Sequence, residues 1–183
     1  IRDRMSTRRE HDSLGELEVP AEALYGIHTV RSLGNFSAGG EPVPIEIIYA
    51  MASLKRACAR ANHALGLLDD NKLKGIDAAC TSILSGLLDD EFPIDIFQAG
   101  SGTSSNMNLN EVIANLANET LGGQRGERFP VHPNDDVNMG QSSNSIFPSA
   151  IRVAAVRLSK SMVSSVRLLI DALEAKALEF RAV

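Results

Sequence analysis

Residues Ile151 to Phe180 read IRVAAVRLSK SMVSSVRLLI DALEAKALEF, and this stretch decides the fold. Apolar side chains fall at Ile151, Ala155, Leu158, Met162, Val166, Leu169, Leu173, Ala177 and Phe180, in steps of four and three without Gly or Pro. That spacing marks one face of an α-helix. It runs far past the ~11–12 residues of an average globular helix. A stripe this long needs partner helices, as in a long bundle or a coiled assembly. The pattern is still running at Val183. The expectation is a chain cut within a bundle, or one completed by other subunits.

Working outward, three shorter helices precede it. Pro44 suits the first turn of one that runs to His63 and stops at Gly66. Asp69 or Asp70 caps a second, with Leu73, Ile76, Cys80, Ile83, Leu84 and Leu87 at helical spacing. Asp89-Asp90-Glu91 and Pro93 end it. A polar stretch, Gln98 to Asn108, leads into a third helix carrying Leu109, Val112, Ile113 and Leu116, closed by Gly122-Gly123. A second polar loop, Gln124 to Asn144, empties into the long helix, with Ser145 or Asn144 as cap and Pro148 in the first turn. The first forty residues read as an irregular arm, and Phe92 to Phe97 is too short and Pro-bound for a sheet.

Composition narrows the function. The 183 residues hold 18 basic and 23 acidic side chains, a net charge of −5. That balance, with six Phe, two Tyr and no Trp, speaks against a nucleic-acid face. At 44% hydrophobic the chain can bury a core. Cys58 and Cys80 are too few for a disulfide framework and fit a reducing compartment. The richest apolar run, Val43 to Ala52, is broken by Pro44 and Glu46, so no membrane span is expected. Ile1 to Asp12 lacks the apolar centre of a secretory signal, and Met5 reads as a start position. These features predict a soluble, cytoplasmic protein.

Several chemistries find no motif. There is no phosphate-binding Walker loop, and Gly100-Ser101-Gly102 lacks the spacing of a dinucleotide fingerprint. His11, His28, His63 and His132 stand far apart, and no metal-ligand spacing occurs. What remains is the two polar loops, each preceding a helix. Such junctions offer free backbone N–H groups, a partial positive charge and short hydroxyl or amide donors. One alone would be an ordinary cap. Two in one chain imply a small carboxylate or phosphate ligand.

The same residues carry a resemblance. Gln98-Ala-Gly-Ser-Gly-Thr-Ser-Ser-Asn-Met-Asn108 with Asn110-Glu111-Val112, then His132-Pro-Asn-Asp-Asp-Val-Asn138, then Gln141-Ser-Ser-Asn144, resemble successive segments of the class II fumarase/aspartase superfamily. Asp12-Ser-Leu-Gly15, Tyr25-Gly26 and Asp90-Glu-Phe-Pro93 extend the match upstream. The resemblance implies a mostly α fold. A small helical N-terminal domain over 1–140 would lead, at 141–183, into the first long helix of a central bundle pooled by a homotetramer. It implies cofactor-free, metal-free β-elimination from a four-carbon dicarboxylate to give fumarate. Ser101 and Thr103 would contact a substrate carboxylate or leaving group, supported by Asn106, while Ser142, Ser143 and Asn144 hold the other end. His132, Asn134 and Asp135 would form a secondary anion site, a loop-bracing role for His132 being the equal alternative. The family's base loop has no counterpart in this chain, so no catalytic residue is assigned and the chain alone is expected to be inactive. Ser145 stands where the family usually has Asp, which would weaken a brace on Asn144. Ser142-Ser143-Asn144 favours malate and fumarate hydratase activity. Gly26-Ile-His-Thr29 has an aspartase look, and aspartate ammonia-lyase or a non-catalytic structural member stays open.

Overall fold

The computed structural model describes residues 6–36 and 38–182, so the Met5 start lies outside the described residues. Within them the arm is ordered. Thr7–Asp12 (β1) and Gly15–Pro20 (β2) pair antiparallel, with Asp12 opposite Gly15. The Leu14 N–H donates to Asp12 Oδ1 at 2.9 Å, and Gly15 takes φ 111°, a conformation few side chains tolerate. Nothing in the sequence announced these strands because charge, not apolar alternation, fills them: Arg9 pairs across the hairpin with Glu16 and Glu18.

Helix α1, Ile27–Asn35, follows the hairpin, and its first turn has no capping side chain of its own. Glu111, from a helix more than eighty residues on, does that work. Its carboxylate accepts from the N–H groups of Gly26 (3.0 Å), His28 (2.8 Å) and Thr29 (3.1 Å) and from Thr29 Oγ1 (2.7 Å). Burial pushes the Glu111 pKa up, against the pull of those donors. Gly26 is needed there, since a Cβ would come within 2.8 Å of the Glu10 and Glu111 carboxylates.

The core lies among α2 (Ile45–Ala64), α3 (Asp70–Leu84), α4 (Thr103–Thr120) and the first turns of α5 (Ser143–Glu179). Ile48, Met51, Ile76, Ile83, Leu109 and Ile113 are among its fully buried members. Asp69 caps α3, its side chain accepting from the Lys72 N–H. Phe92 to Phe97 forms no strand, only a bridge between Pro42 and Asp95.

Three boundaries differ from the sequence expectation. Helix α3 stops at Leu84, because Gly86 turns the chain at φ 78°, and Leu87 is left 86% exposed. Helix α4 starts at Thr103, so half of the polar stretch before Leu109 is already helical. The cap of α5 is Ser142, which places Pro148 in the second turn rather than the first.

The long helix is present, but its stripe does not face its own chain. Ile146, Ala150 and Ala154 are the buried residues of α5, whereas Ile151, Leu158, Met162, Val166, Leu169, Leu173 and Phe180 are exposed. Every described residue from Lys160 to Ala182 is exposed. Among the described residues no helix is long and apolar enough to cross a membrane.

Candidate functional site

The two polar loops meet where α4 and α5 begin. Thr103 Oγ1 donates to Gly100 O at 2.8 Å, so at 2.9 Å it accepts from Ser143 Oγ. This contact joins residues forty positions apart and sets two helix N-termini side by side, each with its partial positive charge. The approach depends on backbone shape. Ser101 (φ 58°) and Gly102 (φ 63°) are both left-handed, and any Cβ on Gly102 would overlap the Phe147 ring of α5. Holding a serine in that region costs about 1–2 kcal/mol, and Ser101 is exposed at the turn's tip.

Each loop is braced from behind. Gln98 Oε1 accepts the Ser105 N–H while Gln98 Nε2 donates to Ser105 Oγ, both at 2.9 Å. Ser142 Oγ accepts the Asn144 N–H at 3.2 Å, leaving the Asn144 side chain exposed. Ser145 Oγ donates to Ser142 O at 2.9 Å and so ties the capping residue's carbonyl. Thr103 also lines an open cleft of about 240 Å³ with Leu14, His28, Arg31 and Met107. A larger hollow, about 360 Å³ between Leu33, Pro42 and Pro93, offers Asp95, whose carboxylate already binds the Gly39 and Gly40 N–H groups.

Beneath these loops lies a polar network that sequence reasoning missed at its centre. Asn106, 2% exposed, donates through Nδ2 to Asn138 Oδ1 at 3.1 Å, and its own oxygen has no partner. The same Asn138 oxygen accepts from Lys55 Nζ at 3.2 Å, and Lys55 also donates to Gln141 Oε1 at 3.1 Å. Lys55 is wholly buried on α2, and burial lowers its pKa to about 7. The signal was available: Lys55 continues the apolar repeat Ile48, Ala52, Ala59 at steps of four, three and four.

His132 caps one wide turn, Pro133–Val137, which carries Asn134 and Asp135. His132 Nδ1 accepts the N–H groups of Asn134 (3.3 Å) and Asp135 (3.2 Å), so the neutral ring carries its proton on Nε2. Here His132 braces its loop. Asp136, buried beside it, accepts the His132 N–H at 2.7 Å and pairs with Lys72 at 2.8 Å. The structure thus brings Thr103 and Ser143 into contact, with Ser142 and Asn144 adjacent and Asn106 behind. It shows Ser101 at the rim and the His132 turn as a separate, self-bonded unit.

Known proteins bear on this arrangement. Residues 15–183 match the Lyase family. The fumarate hydratase class II of Chromobacterium violaceum is 52% identical over 176 residues, covering 96% of this chain and 38% of the relative. That of Ralstonia nicotianae is 50% identical over 177 residues, with 96% and 38% covered. Among solved structures, the fumarate lyase:delta crystallin of Brucella melitensis superposes with a TM-score of 0.93 at 47% identity, over 97% of this chain and 42% of that one. The class II fumarase of Schistosoma mansoni gives 0.78 at 44% identity, over 81% and 32%. The chain therefore spans about 38% of the length of the curated relatives it matches. With a family match over nearly all its residues and a shared fold, this chain belongs to the lyase family of the class II fumarase/aspartase superfamily.

Proposed function

We propose that this chain carries the dicarboxylate-binding part of a fumarate hydratase, a carbon–oxygen lyase interconverting malate and fumarate. The observation that carries the reading is the Thr103–Ser143 contact, which turns two helix N-termini into one donor-lined site. Thr103, Ser143 and Asn144 face the substrate, with Ser101 at the rim, Ser142 capping α5 and Asn106 in support. Such donors act most strongly when a carboxylate gathers charge as the neighbouring carbon loses its proton. His132, Asn134 and Asp135 serve as a secondary anion site off the reaction path, a role taken beside the loop bracing that His132 Nδ1 supplies. The substrate requires no cofactor in this scheme. Residues 1–140 form the N-terminal α domain and 141–183 begin a long-helix bundle, in a cytoplasmic homotetramer.

The base is proposed to come from sequence outside this chain. The 183 residues alone should show no turnover of malate or fumarate. Fused in frame to the part of the Chromobacterium violaceum enzyme beyond the matched region, they should hydrate fumarate. Turnover by the chain alone, or an inert but well-folded fusion, would overturn the reading.

A further inference from the structure

Lys55 is buried, and among the described residues no carboxylate pairs with its charge. The groups facing it are the Cys58 thiol on α2, the Cys80 thiol on α3 and the amides of Asn138 and Gln141. Asn106 on α4 reaches it through Asn138. Helix α5 turns Ile146, Ala150 and Ala154 inward, and its Arg157 donates to Ser53. Asp136, on the neighbouring turn, is committed to Lys72 and the His132 N–H.

An ammonium only donates, so it dictates which end of each amide it meets. Asn138 and Gln141 both present oxygen. Their nitrogens are thereby sent elsewhere, Asn138 Nδ2 to Gln141 O (3.2 Å) and Gln141 Nε2 to Val137 O (2.9 Å). Asn106 follows, because it donates to the same Asn138 oxygen. Gln141 immediately precedes Ser142, the cap of α5. A neutral amine, able to accept as well as donate, would impose none of these orientations.

We propose that Lys55 is a positioning residue of the site: its ammonium fixes the Asn138, Gln141 and Asn106 amides and the Ser142–Asn144 helix start, and a dicarboxylate bound there holds that ammonium charged. The ligand half rests on the lyase reading; the positioning half rests on the hydrogen bonds alone. Because burial brings Lys55 to about 7, its two forms exchange in the neutral range. Linkage is reciprocal, so an anion that binds the charged form more tightly raises the Lys55 midpoint by the same free energy.

The experiment is an NMR pH titration of the labelled 183-residue chain, following Lys55 Cε, the side-chain amides of Asn106, Asn138 and Gln141, and the backbone amides of Ser143 and Asn144. All should share one midpoint near 7, and the shared step should vanish in Lys55→Met. Saturating succinate should raise the midpoint by about one unit, a tenfold preference for the charged form; chloride at equal ionic strength should not. If Lys55→Met fails to fold, coincidence of the wild-type midpoints decides. Amides that do not titrate with Lys55, or a step that survives in a folded Lys55→Met, overturn the positioning. A shared step that succinate leaves unmoved upholds the positioning and overturns the dicarboxylate half.

Discussion

The Thr103 hydroxyl sits between the Gly100 carbonyl and Ser143, and Asn144 stands exposed in the first turn of α5. If both hold substrate as charge shifts onto its carboxylate, they act on the transition state. In the in-frame fusion, Thr103→Ala and Asn144→Ala should each lower kcat/KM by roughly 10²–10³-fold, the usual loss for one donor to a developing oxyanion. His132→Asn should do far less, because its ring nitrogen is spent on its own turn. Steady-state rates, with melts as control, check all three. Acid stability has its own residue-level source. The Arg31 guanidinium, bonded at 2.7 and 2.8 Å, holds the Asp12 carboxyl at about 2 against an ordinary 3.8. A lowered carboxylate pKa stabilises the fold above the ordinary value, and that contribution is lost as pH falls through 3.8 toward 2. Asp12→Asn should flatten this acid limb in urea melts. Lys55 works in the opposite range. Its folded pKa lies below the ordinary 10.5, so stability should rise with pH between about 7 and 10.5, and Lys55→Met should remove the slope.

Among the elements, the turn at Gly100–Gly102 is the hinge of the site. It must be left-handed at two successive residues and leave room for Phe147. Gly102→Ala violates both needs and should destabilise the chain by about 2–4 kcal/mol, combining left-handed strain with overpacking. Phe147→Ala in the same chain relieves the overlap only. Denaturant melts of the two single variants and the double should therefore show the double less unstable than the sum of the singles. Additive losses would mean that the ring does not clamp the turn.

For the whole molecule, the decisive feature is α5 beyond Ala154. From Leu158 to Glu179 it extends about 33 Å, at ~1.5 Å per residue, with its apolar side chains in solvent. Burying a Leu, Val or Phe is worth about 1.5–3 kcal/mol each, and exposed strips of that kind drive association. We expect the chain to self-associate through this face as concentration rises. Leu169→Glu with Leu173→Glu should leave a monomer by sedimentation and weaken hydrogen-exchange protection along the distal helix. A wild-type monomer with the distal helix fully protected would contradict this.

Long-period information was legible in the sequence. The four helices from Pro44 onward and the polar loops that open α4 and α5 follow from spacing, caps and turn residues, which act locally. What the sequence could not give depends on distant partners. Strands β1 and β2 are held by cross-strand charge and left no apolar period to read, and α1, only nine residues long, takes its cap from Glu111 of α4. The face of α5 that joins the core runs through Ala150 and Ala154, one position off the stronger stripe. Small residues there let α5 approach closely, a selection made by shape rather than hydrophobicity. Lys55 hid inside an apolar repeat because the amides that accept its protons arrive from residues 138 and 141. Local patterns thus determined the helices and the loops of this chain; only tertiary contact decided which polar groups share a site, because each of those bonds joins residues tens of positions apart.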